Sequence, residues 1–104
     1  MLTDYDFRML RELLIQFHQD IEDLFDGYEN SFRYFVYSSE TEEIVDTIAA
    51  LDKLLTLGLS DSALRDFALD ELCSGLPKGS AIFIFSSLRE YIFDYAVMCG
   101  KISR

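Results

Sequence analysis

The chain has 104 residues, half of them hydrophobic, and 19 acidic against nine basic side chains give a formal net charge of −10. This length fits one domain, and nine Phe and six Tyr supply enough apolar surface for a core, which excludes global disorder. The acidic balance disfavours direct binding of nucleic acids or anionic membranes, because both need basic surface to replace counterions around phosphate.

The first predicted helix begins at Thr3, a good N-cap residue, with Asp4 and Asp6 in the first turn, where the helix dipole favours carboxylates. Apolar residues then recur at steps of three and four, which is typical of one buried helix face: Leu10, Leu13, Leu14, Phe17, Ile21 and Leu24. Asp26-Gly27 predicts the end of this helix, because glycine readily adopts the left-handed conformation of a helix C-terminus.

Three more helices are predicted in the middle of the chain. A short one covers residues 28–37, and a longer one begins at Ser39, which has capping-box spacing to Glu42, and ends at Gly58. Ser60 predicts the start of the next helix, which weakens at Ser74-Gly75. The apolar residues expected to face the core are Phe32, Phe35, Val36, Ile44, Val45, Ile48, Leu51, Leu54, Leu55, Leu64, Phe67, Ala68 and Leu72.

A loop is predicted over residues 76–80, which are rich in residues that break regular structure. The apolar run 81–85 is compatible with a buried strand or with the start of a helix, since five residues are too few for periodicity to decide. No other segment supplies a partner strand, so a helical or irregular conformation is favoured. Ser87 and Glu90 again have capping-box spacing. The side chains expected to face the core after them are Leu88, Tyr91, Ile92, Tyr95, Ala96 and Cys99. We therefore predict an all-α fold, with residues 1–104 forming a single compact domain of about five helices.

The net charge is concentrated in one part of the sequence. Residues 12–52 hold eleven acidic side chains and one basic side chain, Arg33, whereas the rest of the chain holds eight of each. Acidic pairs three residues apart, such as Asp23 and Asp26, repel each other by about a few tenths of a kcal/mol. Because this repulsion between like charges opposes folding, we interpret the acidic surface as one that serves recognition of a partner and not only contact with solvent. Tyrosines interleaved with the acids are either binding anchors or half-buried packing residues. The candidate binding residues are Asp20, Glu22, Asp23, Asp26, Tyr28, Glu29, Tyr37, Glu40, Glu42 and Glu43.

Catalytic, metal and cofactor chemistry is poorly supported. The single histidine, His18, could act as a catalytic base only with a nucleophile such as a cysteine, and neither cysteine lies in a recognised catalytic motif. We therefore expect a structural or interfacial role for His18 and predict that the chain is not an enzyme. A calcium loop around Asp26-Gly27 is excluded, because its third and twelfth positions would be Leu24 and Arg33. The sequence contains no Gly-rich phosphate loop, so no cofactor is expected.

The remaining sequence signals concern the cellular compartment. Cys73 and Cys99 lie in periodic helical segments and are predicted to be buried free thiols, which suits a reducing compartment. The chain has neither a signal-peptide pattern at Met1 nor an apolar run long enough to cross a bilayer. We therefore predict a cytoplasmic protein.

A series of motifs follows one another along residues 7–98. Leu10-Arg11-Glu12-Leu13-Leu14 leads to Phe17-His18-Gln19-Asp20, and an Ile- and Leu-patterned helix follows over residues 43–55. The end of a helix with small residues around Cys73, over residues 71–75, precedes the last motif, which is Leu88-Arg89-Glu90-Tyr91-Ile92. In this order the chain resembles an immunity protein family of bacterial contact-dependent growth inhibition systems. It departs from that family at Ile21, where a tryptophan is usual, and over residues 81–85, which are more apolar than the Gly-rich loop of the family.

The resemblance implies that the protein binds and neutralises the C-terminal toxin domain of a large cell-surface effector, often a basic nuclease, in a one-to-one complex. The acidic side chains would either occupy the substrate groove of the toxin as a phosphate mimic or dock beside the active site and block access. A cytosolic regulatory adaptor that binds a basic protein or a helical peptide is the alternative function.

Overall fold

The computed structural model describes residues 2–15, 32–72, 76 and 79–103. These residues contain no strand and form five helices: α1 is Asp4–Leu14, α2 is described over residues 32–38, α3 is Thr41–Leu55, α4 is Asp61–Glu71 and α5 is Ala81–Met98. The predicted all-α fold is therefore confirmed. None of the described helices has the length and apolar character that crossing a membrane requires.

The predicted helix boundaries agree with the structure to within a few residues. The second helix remains helical through residue 38, one residue beyond the predicted end. The fourth helix ends at Glu71, before the predicted weak point at Ser74-Gly75. The predicted continuation of the first helix beyond Ile15, together with its stop at Asp26-Gly27, lies outside the described residues.

Side-chain caps set the starts of α1, α4 and α5. In α1 the Thr3 hydroxyl accepts the Asp6 N–H at 3.1 Å and the Asp6 carboxylate accepts the Thr3 N–H at 2.9 Å, which is a reciprocal capping box. The hydroxyls of Ser60 and Ser80 each accept a backbone N–H three residues later at 3.2 Å. The sequence analysis predicted the caps at Thr3 and Ser60 but missed the one at Ser80.

The start of α3 lies one residue later than the predicted capping box of Ser39 and Glu42. Glu40 is the N-cap residue, and its N–H donates to the Glu43 carboxylate at 3.1 Å. Ser39 directly follows α2, and its hydroxyl donates to the Phe35 carbonyl at 2.6 Å, so the predicted box at this position is wrong. Beyond α3, Gly58 has a φ of +73°, which is the left-handed conformation expected of a glycine that follows a helix.

The apolar run whose conformation was ambiguous is helical, because α5 begins at Ala81. Ser87 and Glu90 consequently lie inside α5, and the capping box predicted there is wrong. Asp61 of α4 fixes this start: its carboxylate accepts the Ser80 hydroxyl at 2.6 Å and the first two N–H groups of α5 at 3.0 Å. These hydrogen bonds lower the pKa of the Asp61 carboxyl, and the bond from the Ser80 hydroxyl has the largest effect. A contact across 20 residues thus sets the start of α5.

The core is built around α3, which packs against both α1 and α5, while α5 also packs against α4. The buried hydrophobic side chains are Met9, Leu10, Leu13, Leu14, Phe32, Val36, Ile44, Ile48, Ala50, Leu51, Leu54, Leu64, Ala68, Leu72, Ala81, Phe85, Leu88, Ile92 and Ala96. Most residues of the predicted inward faces are in this set, because helical periodicity identifies the buried face of an amphipathic helix.

Two residues predicted to face the core, Val45 and Cys99, are exposed instead. Val45 is 48% exposed, and Thr47 is buried in its place, with its hydroxyl donating to the Glu43 carbonyl at 2.7 Å. Cys99 is a free and exposed thiol, because the last buried residue of α5 in the described chain is Ala96 and the helix extends past the core. Cys73 lies outside the described residues.

Asp6 links α1 to α3 through a buried carboxylate that is 5% exposed and lies 2.9 Å from the Lys53 ammonium. The Thr3 N–H, and then the Lys53 ammonium, lower the pKa of the Asp6 carboxyl. We expect Asp6→Asn to reduce the free energy of unfolding by about 1–2 kcal/mol at pH 7, because the charged bond to Lys53 and part of the capping box are lost.

The pH dependence tests the cause of this loss. Because the folded pKa of Asp6 is lowered, its stabilisation is present above the unfolded pKa of about 3.9 and is lost as the pH falls through the folded value. The difference between wild type and Asp6→Asn in urea unfolding should therefore shrink from pH 5 towards pH 2. Asp4→Asn, an exposed change in the same turn, should cost about 0.5 kcal/mol or less. A difference that stays constant with pH would contradict the assignment.

Candidate functional site

Four of the predicted binding residues lie at the junction of α2 and α3: Tyr37, Glu40, Glu42 and Glu43. All four are exposed, and we call them the acidic corner. Tyr37 is 71% exposed, which excludes the alternative that it is a half-buried packing residue. The other six lie outside the described residues: Asp20, Glu22, Asp23, Asp26, Tyr28 and Glu29.

The carboxylates of the acidic corner surround the N-terminus of α3. Glu42 and Glu43 occupy its first turn, where the positive end of the helix dipole favours negative charge. Glu43 also has a structural role, because it accepts the Glu40 N–H at 3.1 Å. Glu42 has no hydrogen-bond or ion-pair partner within the described part of the chain. Its carboxylate is therefore available to a partner molecule.

Other acids of the segment 12–52 stabilise the fold. Asp46 accepts the Tyr5 hydroxyl at 2.6 Å, a bond that raises the pKa of Tyr5. Asp52 accepts two N–H groups of Arg89 at 2.9 and 3.3 Å, and this hydrogen bonding raises the pKa of Arg89. These contacts connect α3 to α1 and to α5. In the described part of the chain, the acidic segment thus contains structural carboxylates as well as the carboxylate of Glu42, which has no partner there.

Lys101 holds the C-terminal end of α2 next to the acidic corner. Its ammonium donates to the carbonyls of Val36 at 3.0 Å, Tyr37 at 2.6 Å and Ser39 at 2.5 Å. The last carbonyls of a helix have no partner within the helix and carry partial negative charge, so a cation stabilises them. Thr41 at the start of α3 donates its hydroxyl to the Lys101 carbonyl at 3.1 Å. Lys101 therefore fixes the position of Tyr37 relative to α3.

A second surface joins α2 to the C-terminal half of α5. The Arg33 guanidinium donates to the Tyr95 hydroxyl at 2.8 Å and lies 4.9 Å from the centroid of that ring. The hydroxyls of Tyr91 and Tyr95 are hydrogen-bonded at 2.8 Å, and their ring centroids are 4.5 Å apart. Both rings are half-buried because their hydroxyls keep polar partners at the surface. The prediction that these tyrosines face the core is thus only partly correct.

A shallow pocket of about 210 Å³ lies on this surface and is lined by Tyr91, Asp94, Tyr95 and Met98. The last three positions lie three, four and seven residues after Tyr91, which places all four on one face of α5. Met98 is 77% exposed although it is apolar. The sequence analysis missed Asp94 and Met98, because it followed the charge excess of residues 12–52. The available signal was the spacing of the two tyrosines around an acid.

The described surfaces offer charge and aromatic rings for binding. Among the described residues, no three His, Cys, Asp or Glu side chains are grouped so that they could hold a metal ion. His18 lies outside this part of the chain. The arrangement at the acidic corner and on α5 is therefore suited to recognition of a partner through charge complementarity and aromatic contacts.

A family model described as CdiI immunity protein matches residues 6–77. This range includes the acidic corner and ends before α5. No curated protein and no solved structure matches the chain.

Proposed function

Because the chain belongs to the CdiI immunity protein family and is therefore a toxin-neutralising protein, we propose that its target is a basic nuclease domain. That domain would be the C-terminal toxin of a contact-dependent growth inhibition effector, bound one to one in the cytoplasm of the cell that produces both proteins. The observation that carries this proposal is the acidic corner, in which exposed carboxylates adjoin an exposed tyrosine.

Charge complementarity supports a nuclease as the target. A protein that cleaves nucleic acid binds phosphates through basic side chains, so its substrate groove has a positive potential. The acidic corner and the net charge of −10 present the opposite potential. Such charges attract the partner over long distances and raise the rate of association, which matters for an inhibitor that must capture a toxin quickly.

Two modes of inhibition fit this surface. Glu40 and Glu42 either enter the substrate groove and take the places of two phosphates, or they bind basic side chains at the rim and hold the protein across the entrance. Both modes exclude substrate, so excess nucleic acid should relieve inhibition in either case. A crystal structure of the complex separates them, because only occupation of the groove places the Glu40 and Glu42 carboxylates beside the catalytic residues of the toxin.

We expect the gene for this chain to lie directly after a gene for a very large secreted protein, and the test uses the C-terminal domain of that protein. Bacteria that express this domain alone should stop growing, and coexpression of the chain should restore growth. With purified proteins, titration calorimetry should give one chain per toxin domain, and nuclease activity should disappear at that ratio. Full toxicity with the chain in excess would contradict the proposal. Equally tight binding of unrelated basic peptides would indicate the alternative adaptor function.

A further inference from the structure

We propose that Lys101 is a positioning residue for toxin binding: its ammonium fixes the backbone around Tyr37, so that this exposed tyrosine is already in its binding geometry before the toxin arrives. The inference rests on the proposed function, because Tyr37 belongs to the acidic corner that this function uses. Lys101 lies beyond residues 6–77, which the family model matches. It acts through Tyr37 and not by contact with the toxin.

The end of α5 directs Lys101 towards α2. The Gly100 N–H donates to the Val97 carbonyl at 3.0 Å, and Gly100 has a φ of +74°. The Lys101 N–H donates to the Ala96 carbonyl at 2.9 Å. Together these bonds form a Schellman motif, in which a glycine in the left-handed conformation ends the helix and turns the chain. Ile102, the next residue, packs against the hydrophobic core. Backbone hydrogen bonds and burial therefore set the direction in which Lys101 leaves α5.

The contacts of the Lys101 ammonium surround Tyr37. The ammonium donates to the Tyr37 carbonyl at 2.6 Å and to the carbonyls of Val36 and Ser39, on either side of it, at 3.0 and 2.5 Å. It also lies 5.9 Å from the centroid of the Tyr37 ring, within the distance of about 6 Å at which a ring face attracts a cation. An ammonium has three donors, and all three are used here. Lys101 therefore has no donor left for a partner, which is why we assign it a positioning role.

Lys101 also ties the end of α2 to α3. Its carbonyl accepts the hydroxyl of Thr41, the first residue of α3, at 3.1 Å. The Tyr37 ring is 71% exposed, so the core does not hold it, and its position depends on the backbone that Lys101 binds. A surface that is held in its bound geometry loses less conformational entropy on association, and this raises affinity.

Lys101→Met tests this inference, because it removes the ammonium and keeps the aliphatic stem. The change makes the net charge more negative by one unit, so attraction of a basic toxin over long distances would increase. Loss of positioning has the opposite effect, and we expect binding to weaken by about fivefold to tenfold. Arg8→Met makes the same change in net charge on α1, where the side chain is 69% exposed. Its binding should be tighter than that of wild type or within about twofold of it.

A double-mutant cycle with Tyr37→Ala shows whether Lys101 acts through Tyr37. In the Tyr37→Ala background, Lys101→Met should change affinity by less than about twofold, because the ring that Lys101 positions is absent. A merely structural role would give the same loss in both backgrounds. Titration calorimetry with the toxin domain measures the four affinities, at a temperature where circular dichroism shows each protein to be folded.

A second variant covers the case in which Lys101→Met does not fold. Thr41→Val is an exposed change that releases the same segment from α3. We expect it to weaken binding by about threefold, and this loss should also disappear in the Tyr37→Ala background. Unchanged binding by Thr41→Val would then overturn the inference.

The outcomes separate this inference from the proposed function. If wild type binds the toxin domain and Lys101→Met binds equally well or more tightly, Lys101 is not a positioning residue and the proposed function stands. A loss of equal size with and without the Tyr37 ring, or an equal loss in Arg8→Met, likewise overturns the inference alone. If wild type itself fails to bind, the proposed function fails and this inference fails with it.

Discussion

Changing Glu40 and Glu42 together to lysine is expected to weaken binding of the toxin domain by about a hundredfold or more. The two exposed carboxylates lie at the start of α3, and each reversal replaces an attraction by a repulsion of similar size. Binding of wild type should also weaken as salt is added, because salt screens exposed charges, and the double variant should show much less of this dependence. Calorimetry at several salt concentrations measures both effects.

The matched control reverses Asp66 and Asp70 on α4, which are likewise exposed. It makes the same change in net charge, so it shows how much of the loss comes from the long-range field alone. A positive charge at the N-terminus of α3 also disfavours that helix by about 0.3–1 kcal/mol. Changing Glu40 and Glu42 to glutamine avoids this problem and should still weaken binding by about tenfold or more. Equal losses in the α3 and α4 variants would exclude the acidic corner as a specific contact.

Replacing Leu51 with alanine should reduce the free energy of unfolding by about 2–5 kcal/mol. Leu51 is fully buried in α3, which packs against both α1 and α5, so the neighbouring helices cannot easily close the cavity. Urea unfolding followed by circular dichroism measures the loss. The folded fraction of the variant should bind the toxin domain with unchanged affinity, because Leu51 is fully buried and cannot contact a partner.

Val45→Ala is the matched control on the same helix. Val45 is 48% exposed, and its truncation should cost about 1 kcal/mol or less. The sequence pattern predicted that both Leu51 and Val45 lie on the buried face of α3. The difference in stability between the two variants therefore tests whether burial follows the predicted face or the observed packing. A similar loss at both positions would mean that the packing around α3 differs from the structure described above.

Some of the site could be predicted from local sequence and some could not. The sequence analysis proposed the residues of the acidic corner because they follow one another between two recognisable helices, and their role in binding stays a prediction. Lys101, by contrast, binds a carbonyl 64 residues earlier in the chain, and no local pattern indicates which helix end a distant lysine will reach. The half-buried position of Tyr91 and Tyr95 was missed for a related reason: their spacing is that of core residues, and the sequence does not show that their hydroxyls bond to each other and to Arg33 of another helix.

The sequence by itself determined the all-α fold, the start of the first helix at Thr3 and most of the buried face of α3. These features depend on interactions within one or two helical turns, such as caps and the 3.6-residue period. The tertiary structure decided that α5 begins at Ala81, where Asp61 of another helix binds its first N–H groups. It also decided that Cys99 is exposed, because the point at which a helix leaves the core depends on the helices packed against it.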